Sequence, residues 1–116
     1  MPTVAKYDVV SDSAVMLKKG TTIEFPLETP GISVDIRSLI SLMAFPHQAS
    51  FVFTLSVVNS KAITEIGSFN IGGAIAVRHR VISTDVFQTS GNTLKIEGKA
   101  GFGEISDIML WYQGKV

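Results

Sequence analysis

The sequence predicts an all-β chain folded as an antiparallel β-sandwich, and three observations carry that expectation. Most apolar runs are short, rich in Val, Ile, Phe and Thr, and bounded by Gly, Pro, Asn or Ser. Several alternate apolar with polar residues, the pattern of a strand with one buried face. The stretch His79–Gly98, HRVISTDVFQTSGNTLKIEG, holds a strand end, a polar bend at Ser83, Thr84 and Asp85, an apolar pin at Val86 and Phe87, a Ser-Gly-Asn turn and a return strand. Sandwiches are built from such hairpins and sheet-crossing corners.

Strands are expected at Lys6–Val10, Ala14–Leu17, Thr21–Pro26, Ile32–Asp35, Phe51–Val58, Ile63–Ile71, Ala74–Ile82, Thr93–Glu97 and Ile105–Tyr112. The turns between them have recognisable chemistry at Lys19-Gly20, Pro30-Gly31, Asn59-Ser60, Gly72-Gly73 and Ser90-Gly91-Asn92. Gly72-Gly73 reads as a two-residue hairpin turn. The segment Val34–Phe45, VDIRSLISLMAF, resists assignment. Ile36, Leu39, Ile40 and Met43 fall at helix-compatible spacing ahead of Pro46, so one short helix near 36–44 and a bent strand both fit.

Alternation assigns the faces. Phe51, Phe53, Leu55 and Val57 share one side of their strand, with Thr54 and Ser56 opposite. Ile23 and Phe25 face in and Glu24 out; Leu94 and Ile96 face in, Thr93, Lys95 and Glu97 out. Ile75, Val77 and Val81 are expected on the inner face with His79, leaving Arg78 and Arg80 outside. The last strand divides into Ser106, Ile108, Leu110 and Tyr112 against Ile105, Asp107, Met109 and Trp111. Being apolar on both sides, it is expected at the centre of its sheet or under another subunit.

Composition narrows the function classes. With 116 residues the chain is one domain, 1–116, long enough to bury a core without staples. Ten basic residues balance ten acidic ones with no Lys/Arg block, so no nucleic-acid partner is expected. Attraction to anionic lipid is disfavoured for the same reason, and no run is long enough for membrane insertion as a helix. The absence of cysteine removes disulfides, zinc–thiolate sites and thiol nucleophiles. The opening MPTVAKYDVVSDS has no charged-then-apolar leader pattern. The compartment stays undetermined, cytoplasmic by default and secreted if a leader has been removed. At 46% apolar and 17% charged residues, the chain needs some of its apolar surface covered to stay soluble, and a homo-oligomer is the expectation.

On those residues, HRVISTDVFQTSGNTLKIEG resembles the late part of a galactose-binding-domain-like jelly roll, and GFGEISDIMLWYQ resembles the final strand of such domains, including carbohydrate-binding modules. The likeness covers about residues 74–113. Gly91 permits the turn and Asn92 can bond backbone groups there. It implies a jelly-roll β-sandwich and lectin-like binding of a carbohydrate or glycoconjugate. It also implies that a structural Ca²⁺ near a loop is the one cofactor to look for.

Candidate ligand-binding residues follow, each with a plainer alternative. Trp111 and Tyr112 offer rings on which a sugar's C–H face would pack; otherwise they belong to the core or an oligomer contact. Arg78 and Arg80 suit bidentate contacts to hydroxyls or a carboxylate, or form a charge ladder with Glu24, Asp35 or Glu97. His47 lies in the loop Phe45–Ser50, whereas His79 is expected to be a hydrogen-bonded semi-core residue. Asp8, Asp12, Glu104 and Asp107 lie near the two chain ends and could supply oxygens to Ca²⁺; otherwise they are solvated loop acids.

The glycines of GKAGFG lack the GK[ST] ending and the following helix that a phosphate loop needs. No nucleophile elbow, metalloprotease helix or paired-carboxylate signature occurs. An enzyme is therefore not expected. The leading expectation is a non-catalytic, lectin-like module. The alternative is a structural or assembly protein that forms homo-oligomers through apolar sheet surfaces, without a small-molecule ligand.

Overall fold

Alternating side chains sort the chain into two layers of antiparallel strands. The structure, a computed structural model, describes residues 3–48 and 50–115. Nine strands follow in order: β1 (Thr3–Ser11), β2 (Val15–Lys18), β3 (Thr22–Leu27), β4 (Ser38–Pro46), β5 (Phe51–Val58), β6 (Ile63–Ile71), β7 (Ala76–Ile82), β8 (Asn92–Ala100) and β9 (Phe102–Lys115). Sheet A runs β1-β9-β4-β7, with β2 continuing the β1 edge along β9. Sheet B runs β3-β8-β5-β6.

Counting β1 and β2 as one broken edge strand, this is the eight-stranded path of a jelly roll. After β2, every connection crosses between sheets except the β5–β6 hairpin. Asn59 closes that hairpin, its Oδ1 accepting from the Lys61 and Ala62 amides. The core fills the space between the sheets. Phe51, Phe53, Leu55 and Val57 of β5 meet Leu94 and Ile96 of β8, Ile40 and Leu42 of β4, and Ile105, Ile108 and Leu110 of β9.

Several expectations need correction. No helix occurs among the described residues, and the segment near 36–44 is strand β4. There Ser38, Ile40, Leu42 and Ala44 face the core while Leu39, Ser41 and Met43 lie on the other side. Both faces carry apolar residues, so helix-like spacing arises without a helix. Ile32–Asp35 is no strand but part of the crossing from β3 to β4, touching the sheet at a single bridge from Ile32 to Gly114. Gly72-Gly73 turns the chain from sheet B into sheet A, so the strands it joins do not pair.

Strand β7 has its faces the other way round. Ala76, Arg78, Arg80 and Ile82 stand on the inner side, opposite Ala44, Leu42, Ile40 and Ser38. Val77, His79 and Val81 point outward, and His79 is exposed rather than semi-core. An arginine is tolerated inside because β7 is an edge strand, and the Arg80 guanidinium carbon lies 5.1 Å from the Phe69 ring centroid on β6. Gly67 leaves room for it, since a Cβ there would stand 3.0 Å from Arg80 Nε. The side chain closes the open flank of the sandwich as a cation over an aromatic face.

In β9 the two apolar sets partly merge. Asp107 has φ +52° and marks a bulge that shifts the pairing with β4, while the pairing with β1 is shifted by an extra residue on β1, Val10. Ile105 therefore faces the core together with Ile108, Leu110 and Tyr112, while Met109 and Trp111 stay outside.

Candidate functional site

The outer faces of the two sheets differ in kind. The outer side of sheet B carries Thr22, Glu24, Thr93, Lys95, Glu97, Ser68 and Asn70, with Thr54 and Ser56 buried among them and Val52, Val58 and Ile63 on the same side. Glu97 pairs with Lys95 at 3.3 Å and Lys99 at 3.2 Å. Those bonds, Lys99 first, hold its carboxyl below the usual carboxylate range. The face is largely polar, with Ile63 its one strongly exposed apolar side chain among the described residues.

Sheet A presents the opposite chemistry. The register builds one row from Tyr7, Trp111, Leu39 and Val81 and the next from Val9, Met109, Ser41 and His79, with Met43 beside Val77 beyond. Tyr7 is 61% exposed, Val77 64%, Val81 54% and Trp111 42%. The Tyr7 and Trp111 rings lie 5.4 Å apart at 41°. Trp111 Nε1 donates to Ser41 Oγ at 3.4 Å. A shallow groove of about 280 Å³ runs beside it, with Ala5, Arg37, Leu39, Val81 and Gln113 in its lining. Ser38, also in that lining, has a buried hydroxyl with no hydrogen-bond partner.

The same face ends near the turn after β4 in a smaller aromatic cluster. His47 Nε2 lies 3.0 Å from a Glu104 oxygen, stacks on Phe102 at 5.2 Å, and meets Phe45 edge-on at 5.1 Å. Met16 flanks Glu104 on β2.

The candidate ligand-binding residues do not converge. Trp111 lies on the outer face of sheet A. Its neighbour Tyr112 points into the core at 4% exposure, where burial first and the charge of Asp8 second push its hydroxyl above the ordinary tyrosine value. Arg78 and Arg80 belong to the flank by β6. Neither meets Glu24 or Glu97, which stand on the other sheet. His47 is at the far end, just past β4 and about 26 Å from Leu39 at strand rise.

The four acids near the chain ends are likewise engaged separately. Asp8 accepts from the Glu28 amide, Asp12 from the Ser13 hydroxyl, Asp107 from the Ser106 hydroxyl, and Glu104 pairs with His47. Among the described residues, no group of three potential ligands comes together.

Sequence reasoning missed Tyr7, Val9, Val77, Val81 and His79 as one surface. The signal was present: a β7 with valines on one parity and arginines on the other admits two orientations. Only the inward one lets Arg80 meet Phe69. The chain matches no known family model, and no curated protein matches it in sequence.

Proposed function

We propose that this protein is a structural or assembly protein that forms homo-oligomers through the outer face of sheet A. The observation that carries this reading is the contrast between the faces. The outer face of sheet B is largely polar and ion-paired, with Val52, Val58 and Ile63 its apolar members, whereas that of sheet A carries Tyr7, Val9, Leu39, Met43, Val77, Val81, Met109 and Trp111 around Ser41, His79 and Asp107. A solvated antiparallel sheet normally alternates apolar-in with polar-out, and large exposed apolar patches on soluble proteins mark interaction sites. An aromatic pair at the centre with Met109 alongside is the composition of an interface core.

The test is the molecular mass in solution by sedimentation or light scattering, together with quenching of Trp111 by acrylamide. A concentration-stable oligomer with a shielded indole is expected. A monomer with a freely quenched indole would overturn the reading.

A second reading has its own observation, the groove beside the Tyr7–Trp111 pair. A sugar ring could lay its C–H face on the indole while Arg37 and Gln113 meet its hydroxyls. Trp111 fluorescence during titration with mono- and oligosaccharides, with and without Ca²⁺, tests it. A saturable, sugar-specific shift supports lectin-like binding. A silent titration across all glycan classes at millimolar concentration removes it.

A further inference from the structure

We propose that one end of the sandwich, where β2 turns into β3 and β8 into β9, docks on an anionic phospholipid surface. Lys19 and Lys99 flank a cleft for the lipid phosphate, and Met16, Leu17 and Phe102 line an apolar notch for its hydrocarbon. The inference lies beyond the assembly reading and does not depend on it, since this end is opposite the Tyr7–Trp111 end of sheet A.

Folding redistributes charge that the sequence balances. Ten basic residues against ten acidic ones, with no Lys/Arg block, argue against attraction to anionic lipid. The fold sorts those charges by end. Four turns carry the chain between the sheets here: β2 to β3, β4 to β5, β6 to β7 and β8 to β9. Within two residues of them lie Lys18, Lys19, Lys99 and His47, and no carboxylate. The connections at the opposite end hold Glu28, Asp35 and Asp85 against Arg37 and Lys61. Glu97 and Glu104 sit further along the strands and are already engaged, Glu97 by Lys95 and Lys99 and Glu104 by His47. Lys18 and Lys19 are exposed and, among the described residues, make no ion pair.

The β2–β3 and β8–β9 turns are locked to each other. The Lys19 amide donates to the Gly101 carbonyl at 3.2 Å, the Gly20 amide to the Gly98 carbonyl at 3.0 Å, and the Gly98 amide to the Thr21 carbonyl at 2.9 Å. Any side chain at Gly98 would run into the Lys18 carbonyl. A polar cleft of about 260 Å³ lies along these turns, with Lys19, Thr21, Thr22, Glu97 and Lys99 in its lining. Two ammonium groups and two hydroxyls can surround a phosphate, and Glu97 keeps Lys95 when Lys99 turns to it. Thr21 also borders a second cavity of about 370 Å³, lined by Met16, Leu17, Lys18 and Phe102. A cationic cleft therefore adjoins an apolar one, as phosphate adjoins hydrocarbon in a lipid.

The apolar rim favours lipid over another polyanion. Met16, Phe45 and Ile75 are exposed at this end, Ile75 directly after the uncharged Gly72-Gly73-Ala74. Interfacial binding adds buried apolar area to attraction by anionic headgroups. A nucleic acid calls for stacking rings or a longer row of cations, and one face of Phe102 is taken by His47, stacked on it at 5.2 Å. Each lysine near an anionic surface multiplies affinity about fivefold, so binding is modest and weakens with salt.

The experiment is flotation of the full chain with vesicles of phosphatidylcholine alone and of phosphatidylcholine with phosphatidylserine, at low and high salt. It compares the wild type with Lys19→Gln, Lys99→Gln, Met16→Gln and, at the opposite end, Lys61→Gln, with circular dichroism to show that each is folded. The expected result is binding to the phosphatidylserine vesicles alone, weakened by salt. Affinity should fall about fivefold in Lys19→Gln and in Lys99→Gln, fall in Met16→Gln, and hold in Lys61→Gln. No binding, or equal binding to both vesicles, overturns the proposal. A loss in Lys61→Gln as large as that in Lys19→Gln overturns the docking end. Displacement from the vesicles by inorganic phosphate or a single-stranded oligonucleotide, with Met16→Gln binding as the wild type does, makes this a general anion site and overturns the lipid assignment.

Discussion

Asn92 shows how a single side chain can hold two loops. It is buried, and its Oδ1 accepts from Asn59 Nδ2 at 3.0 Å and the Gln88 amide at 3.1 Å, while its Nδ2 donates to the Gln88 carbonyl at 2.8 Å. Gly91, at φ +74°, delivers it there. Asn92→Ala leaves those groups without partners, and a loss of about 3 kcal/mol is expected in urea unfolding. A value under about 0.5 kcal/mol would show that water replaces the amide. Tyr112 offers a pH signature. Its raised pKa means the folded chain holds the phenolic proton after the unfolded chain has released it, so stability falls as pH rises above about 10. Thermal unfolding across alkaline pH should show this decline, and Tyr112→Phe should flatten it.

At the scale of the element, β9 depends on one irregular residue. Asp107 takes a left-handed conformation that lets Ile105 and Ile108 both reach the core. Asp tolerates that region and a β-branched residue does not. Asp107→Val is therefore expected to lose about 1–2 kcal/mol in chemical denaturation, and Asp107→Gly to stay within about 1 kcal/mol of the wild type. Equal stability of the two variants would mean the bulge can migrate.

The strands of sheet B were legible in the sequence because each has a polar side: Glu24 between Ile23 and Phe25, Thr54 and Ser56 within β5, Lys95 between Leu94 and Ile96. The difficulties gathered in sheet A. In β4, Leu39 and Met43 face outward as apolar as Ile40 and Leu42 face inward, so the period of two is masked. In β7, Val77 and Val81 are outside and Arg80 inside, which inverts the usual inference. In β9, the bulge adds a parity change. One physical fact underlies the first two and contributes to the third: sheet A is apolar on its outer side, where sequence patterning assumes water. For the same reason Trp111 was legible as a candidate, but its partners across the strands were not, since cross-strand neighbours depend on register.

At the scale of the whole molecule, the sandwich has one largely polar face and one largely apolar one, and its stability tests the proposal that the apolar face meets a second copy. If folding and self-association are coupled, mass action stabilises the native state as protein concentration rises. For a dimer, each tenfold increase adds about 0.7 kcal/mol per chain, which for a domain of this length lifts Tm by about 3 °C. Scanning calorimetry at pH 7.5 over two decades of concentration should show that rise. Val81→Lys should abolish it while leaving the Tm at low concentration little changed, because an exposed position on the monomer costs almost nothing to charge. A Tm independent of concentration in the wild type would mean that the apolar face is not buried against another copy in the native state that unfolds. A rise unaffected by Val81→Lys would move the contact elsewhere on the sandwich. The pairing of the two slopes matters more than either alone, because only contact through sheet A makes the wild type concentration-dependent and the lysine variant not.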